Sequence, residues 1–263
     1  MFKQLTAMCL VIVTLLGFTT SAAVASIGAA PNEYTTKIVM DRFDGLKQHM
    51  YEASRISGLD MADLVAISSI ESTLRGNVKS QYSSAKGVLQ YTNGTWIQDR
   101  ALYHKQLGLP ANVSVTNARA NLLIGATALH NLKQLLIEKS HLTEDTLRVG
   151  DLYMSHLVGT NGALAIINSY SNKPINQIIK LSKGNWSMYH KPNGQVRTAR
   201  EFRLYMDGLV KRERSFYAKA VSNFQYAKAS APVMHYDSIS DGNDAMAVAI
   251  ANSSRWVGYD VNS

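Results

Sequence analysis

Cysteine is almost absent from this chain. The single one, Cys9, lies inside the apolar run from Met8 to Phe18, so the residues after it have no thiol to misoxidise and no disulfide to form. The seven histidines show no HExxH pattern and no close ligand spacing, which leaves no metal site to propose; each reads as a surface or satisfied core residue. A phosphate-binding loop is missing, as is a nucleophile-elbow motif that would give a Ser-His-Asp arrangement any weight. No internal repeat occurs. Basic residues form no stripe interleaved with aromatics, which argues against nucleic acid as the partner despite a net charge of +8.

Long apolar runs are equally scarce. Lys3, the run Met8 to Phe18 and the small residues of "TTSAAVAS" form a secretory signal pattern, with cleavage expected after Ala25, where Ala23-Val24-Ala25 fits the small-x-small preference. The run is too short to favour a transmembrane anchor, and Cys9 is too early and too poorly flanked for lipid attachment. A thiol-free exported chain suits a bacterial periplasm or cell envelope. Loss of Lys3 with the signal leaves +7, so an anionic partner such as a cell-wall polymer is expected.

What is present is mostly helical pattern, and the fold class read from it is mainly α. Residues 26–45 show little periodicity and read as an N-terminal arm or lead-in strand. The catalytic domain is expected over 46–228, starting near Leu46 with "LKQHMYEASRIS" and Gly58. Asp60 then stands as an N-cap with Asp63 at N3, opening a helix that Gly76 would stop. Residues 77–95 lack a helical period and read as a long irregular loop or short hairpin, a size that is usually functional in a compact domain. Helices resume at "TWIQDRALYHKQLG" and from Asn117 to about Ile137, where Gly125 would permit close packing. Two more are joined through Gly159 to Gly162, and a last one opens on the capping-box pair Thr198 and Glu201, with Phe202, Tyr205, Met206 and Leu209 on its buried face. From Ala229 the composition turns to alanine, serine, glycine and aspartate, and residues 229–263 read as a flexible tail.

Within the helix after Asp60, Leu64, Ile67, Ile70 and Leu74 project to one side, and Glu71 falls among them. A glutamate there is either snorkelling or paired, for instance with Arg75, or it is desolvated so that it keeps its proton near neutrality and can deliver it to a leaving oxygen. Glycoside cleavage is the reaction that most often needs such a group. Residues 72–98 contain no Asp or Glu, so Glu71 lacks the nearby partner that most glycosidases use, and a single-acid mechanism is the natural expectation.

The stretch "SSIEST" followed by "SSAKGVLQYTNGTW" resembles the soluble lytic transglycosylase family, which shares its fold with goose-type lysozyme. The catalytic Glu-Ser pair of that family matches Glu71-Ser72. Its loop pattern matches Ser83, Ala85, Gly87, Val88, Gln90, Thr95 and Trp96, with valine at 88 keeping the position apolar. "ARANLLIGATALHNL", "LYMSHLVGTNGA" and "VRTAREFRLYM" resemble blocks of the bacteriophage and secretion-linked branch, and the likeness spans roughly Leu46 to Tyr217. One departure is the replacement of the family's Ala-Tyr-Asn triplet by Leu152-Tyr153-Met154, which keeps the aromatic hydroxyl.

The resemblance implies a lysozyme-like domain without cofactor or metal that acts on peptidoglycan. Glu71 protonates the bond between N-acetylmuramic acid and N-acetylglucosamine, the 2-acetamido group assists, and the C6 hydroxyl closes a 1,6-anhydro ring while the glutamate takes back a proton. Ser72 belongs to the implied substrate site, Gly87 would let backbone approach the sugar, Gln90 would bond an N-acetyl group, and Ser84 or Tyr153 would steady the glycan or Glu71. Tyr82 and Tyr91 are divided between sugar platform and core, and Trp96 reads as core. Two other readings stay open: a hydrolytic muramidase, with Asp63 or Asp99 as the second carboxylate, and an idle wall-binding module of a cell-envelope machine.

Overall fold

A computed structural model describes residues 33–80, 83–182 and 185–230; the expected signal segment, Tyr82 and the tail beyond Ser230 lie outside them. The protein is mainly helical, and the described residues contain no strand, only isolated bridges such as Lys79 with Lys86 and Lys86 with Tyr91.

The first helix corrects the expected arm. Helix α1 spans Glu33–Ser57, so the folded region begins well before Leu46. Val39 and Phe43 are buried with Leu46, Met50 and Ala53, a spacing of four and three that continues one apolar stripe backwards among Lys37, Asp41, Arg42 and Asp44. Gly58, at φ 75°, ends α1, and Asp60 opens α2 (Met61–Ser72) as its side chain accepts from the amides of Ala62 and Asp63.

Helix α2 stops earlier than Gly76. Thr73 and Leu74 both take left-handed backbone angles, φ 54° and 57°, and the Thr73 amide closes on Ser69 O. Nor is α2 amphipathic: Leu64, Val65, Ala66, Ile67, Ser68 and Ser69 are all buried, so it is wrapped on every side.

Helix α3 covers Asn93–Tyr103, and α4 covers Ala118–Lys139 with Asn117 Oδ1 accepting from Ala120 N. Helix α4 packs along α1, and Arg119 Nε donates to Glu52 across that seam at 2.8 Å. Helices α5 (Val149–Val158) and α6 (Thr160–Ile167) meet at Gly159, followed by a 3₁₀ turn at Ile175–Gln177 and the short α7, Trp186–Tyr189. The 32-residue α8, Ala199–Ser230, starts with the expected capping box: Thr198 N donates to Glu201 and Glu201 N to Thr198 Oγ1.

Helix α5 is clamped to α8. Arg203 makes a two-pronged bond to the fully buried Asp151 carboxylate, 2.8 and 2.9 Å, while Arg148 N donates to the same carboxylate. Gly150 lies so close that a Cβ there would stand 2.3 Å from Asp207 N and 2.4 Å from Asp207 Cα. None of the described helices is long and apolar enough to cross a membrane.

Candidate functional site

Glu71 occupies the last turn of α2, and its side chain is 0% exposed. Neither carboxyl oxygen has a hydrogen-bond partner of good geometry. Desolvation therefore raises its pKa from 4.5 to about 8, with the Tyr153 hydroxyl tempering the rise. Its position at the negative end of the α2 dipole works in the same direction as burial. At neutral pH the group is a carboxylic acid.

Helix α5 supplies both neighbours. Tyr153 is buried, and its own hydroxyl is held protonated far above the usual range by burial, by the Glu71 charge and by their mutual contact. The hydroxyl acts on the carboxyl as a hydrogen-bonding group but falls short of good hydrogen-bond geometry with either oxygen. Tyr189 of α7 and Tyr205 of α8 also bear on the Tyr153 hydroxyl and so border the site. One turn further along α5, His156 sets Nε2 3.8 Å from Glu71 Oε1.

The His156 ring is 22% exposed, yet Nε2 is buried without a partner. Burial lowers its pKa to about 4. Glu71 and His156 are thus a neutral acid beside a neutral base near pH 7, rather than an ion pair. This corrects the expectation that every histidine is a surface or satisfied residue. The only trace of His156 in the sequence is the spacing Tyr153-x-x-His156, which puts the two side chains on one face of a helix that also carries the buried polar residues Asp151 and Ser155.

Most loop residues assigned to substrate turn out to hold the loop itself. Ser72 Oγ donates to Ser68 O and accepts from Arg75 N, finishing α2. Ser84 Oγ accepts from Asn93 N at the start of α3. Gly87, at φ 80°, is required by packing on α4: a Cβ would meet Asn121 Nδ2 at 2.5 Å and Val115 O at 2.6 Å. Gln90 is buried at φ 46°, and its amide nitrogen donates to Gly87 O and Val78 O rather than facing a ligand. Leu89 N bonds Asn121 Oδ1, and Leu89 fills the notch at Gly125, where a Cβ would come within 2.2 Å of it.

Tyr91 is a core residue. It packs edge-on against the buried Trp96 and donates its hydroxyl to Asp99 at 3.0 Å, so its ring is no open platform. Ser72, Ser84, Gly87, Gln90 and Tyr91 thus bond or pack within the protein itself, and Tyr153 is the one among the described candidates that acts on Glu71.

The suspected second carboxylates are engaged elsewhere. Asp63 pairs with Arg214 of α8 at 3.0 Å, and burial raises it to about 6; Asp99 is raised to about 6 by burial while it accepts from Tyr91. No carboxylate contributes to the Glu71 shift. Among the described residues no three His, Asp or Glu side chains gather as metal ligands. A cavity of about 410 Å³ lies against α1 and the start of α4, lined by His49, Leu109, Asn117 and Arg119, and does not include Glu71. No family model matches the chain.

Proposed function

We propose that this chain is an exported peptidoglycan lytic transglycosylase of lysozyme-like fold, acting in the periplasm or cell envelope with Glu71 as its single acid and base. The observation that supports this is a fully buried carboxyl that keeps its proton at neutral pH, beside Tyr153 and with no second carboxylate acting on it. Such a group can protonate the glycosidic oxygen between N-acetylmuramic acid and N-acetylglucosamine. Once ionised, it can accept the C6 hydroxyl proton as the 1,6-anhydro ring closes, so no water needs positioning. The glycan strands of the wall are the substrate, and local wall opening for an envelope-spanning machine is the setting.

The engagement of Asp63 with Arg214 and of Asp99 with Tyr91 weighs against a hydrolytic muramidase. One observation favours a second reading, an idle wall-binding module: the Glu71 side chain is closed to solvent, so a leaving oxygen reaches it only after the residues covering it move. Digestion of purified sacculi separates the two. The wild-type protein is expected to solubilise them and Glu71→Gln to lose at least about 100-fold in rate, since the amide keeps the shape and has no acidic proton. Equal rates from the two proteins would remove Glu71 from the chemistry.

A further inference from the structure

The polar atoms left unpartnered around the Glu71 carboxyl come from two helices. Both Glu71 oxygens on α2 and His156 Nε2 on α5 are buried without a hydrogen bond, and the shortest separation between them is 3.8 Å. A buried polar atom without a partner is costly, and here the cost falls on groups that face each other. A gap of 3.8 Å is too long for a hydrogen bond but short enough to close by a small side-chain rotation. Catalytic hydrogen bonds are often this loose before substrate arrives.

Building on the transglycosylase reading, we propose that His156 is a positioning residue that decides which Glu71 oxygen carries the proton. Its Nε2–H donates to Oε1, which leaves the acidic proton on Oε2, the atom that serves the sugar. As the bond between C1 and the leaving O4 breaks, the Oε2 proton passes to O4. The carboxylate then rests on the Nε2–H donor. As O6 bonds to C1, the O6 proton returns to Oε2, so the enzyme is restored and the imidazole keeps its proton count throughout.

The surroundings suit a donor rather than a shuttle. Glu71 is the ionisable side chain set against His156 from α2, and Tyr153 lies one turn away on α5. Tyr189 of α7 and Tyr205 of α8 act on Tyr153. No cationic side chain contributes to the Glu71 shift, so the imidazole N–H and the tyrosine O–H are the donors able to meet the nascent carboxylate.

Site-resolved NMR on the full chain tests this without substrate. In the wild type, the ring nitrogens of His156 are expected to report a retained Nε2–H and to shift at the same pH midpoint as Glu71. His156→Leu, which keeps bulk and removes the donor, should raise the Glu71 midpoint by roughly one pH unit, and His156→Gln, which returns an N–H, should bring it back. On sacculi, the alkaline limb of the rate profile should move upward with that midpoint. His156→Leu should lose about 10-fold or more in kcat with KM unchanged, and Gln should restore most of it.

Wild-type ring nitrogens that do not respond at the Glu71 midpoint would overturn the assignment, as would a Gln variant that behaves like Leu. If the midpoints are coupled and wild type leaves sacculi intact, the transglycosylase reading falls while the pair survives as a structural fact. If lysis proceeds with uncoupled midpoints, the reading survives and the role given to His156 falls.

Discussion

A carboxyl closed off from water and without a hydrogen-bond partner is stable only while it keeps its proton, and Glu71 is such a group. Its folded pKa, about 8, lies above the ordinary 4.5, so the folded state binds the proton more tightly than the unfolded one. The stability at stake is fully present below about pH 4.5 and is lost as pH rises through about 8. Glu71→Gln removes that dependence. Chemical denaturation is expected to show the variant gaining on wild type between those limits, reaching roughly 2–4 kcal/mol near pH 8. A constant difference across that range would mean that the carboxyl is not desolvated. His156 has the opposite sign: its folded pKa, about 4, lies below 6.5, so its contribution is present above pH 6.5 and fades as pH falls through 4. The sequence disclosed Glu71 because a lone acid interrupts an apolar arc. It did not disclose that Gly87, Gln90 and Tyr91 spend their special chemistry on the loop, because a glycine at positive φ and a buried amide read alike whether they serve a ligand or the chain. His156 was hidden for a related reason: its partner is far away in sequence, on another helix.

Among the elements, the α5–α8 crossing fixes the site, since α5 carries both Tyr153 and His156. Two glycines near it should respond with opposite sign. Gly150→Ala drives a methyl into the backbone of Asp207, and the helices must part; a loss of about 2–4 kcal/mol is expected, with lysis falling as α5 shifts. Gly208, exposed within α8 and with nothing near its would-be Cβ, should gain about 0.5–1 kcal/mol on Gly208→Ala from helix propensity alone. Thermal melts of the two variants check this, and a Gly150→Ala variant as stable as wild type would show that the crossing is looser than described. Element starts were legible at the caps Asp60, Asn117 and Thr198, but not at Thr92, which caps α3 inside the stretch read as loop to residue 95. Ends were not. Helix α2 stops at Ser72 through two non-glycine residues in left-handed backbone, and the start of α1 was missed as well, because charged neighbours mask the stripe of Val39 and Phe43.

At the scale of the molecule, the described residues from Glu33 to Tyr226 make one compact unit, whose boundary falls within the last turns of α8. The change of composition near Ala229 lies within a residue of the end of α8 at Ser230. A chain ending at Ser230 is expected to digest sacculi at the wild-type rate in vitro; unfolding or loss of lysis would place later residues in the catalytic unit. The measurement that bears most directly on the central claim is the mass of the muropeptides released from purified sacculi by wild-type protein. Intramolecular capture by the C6 hydroxyl predicts 1,6-anhydromuramyl ends, each one water lighter than a hydrolytic product, and none from Glu71→Gln. Reducing ends in their place, or intact sacculi, would contradict the account.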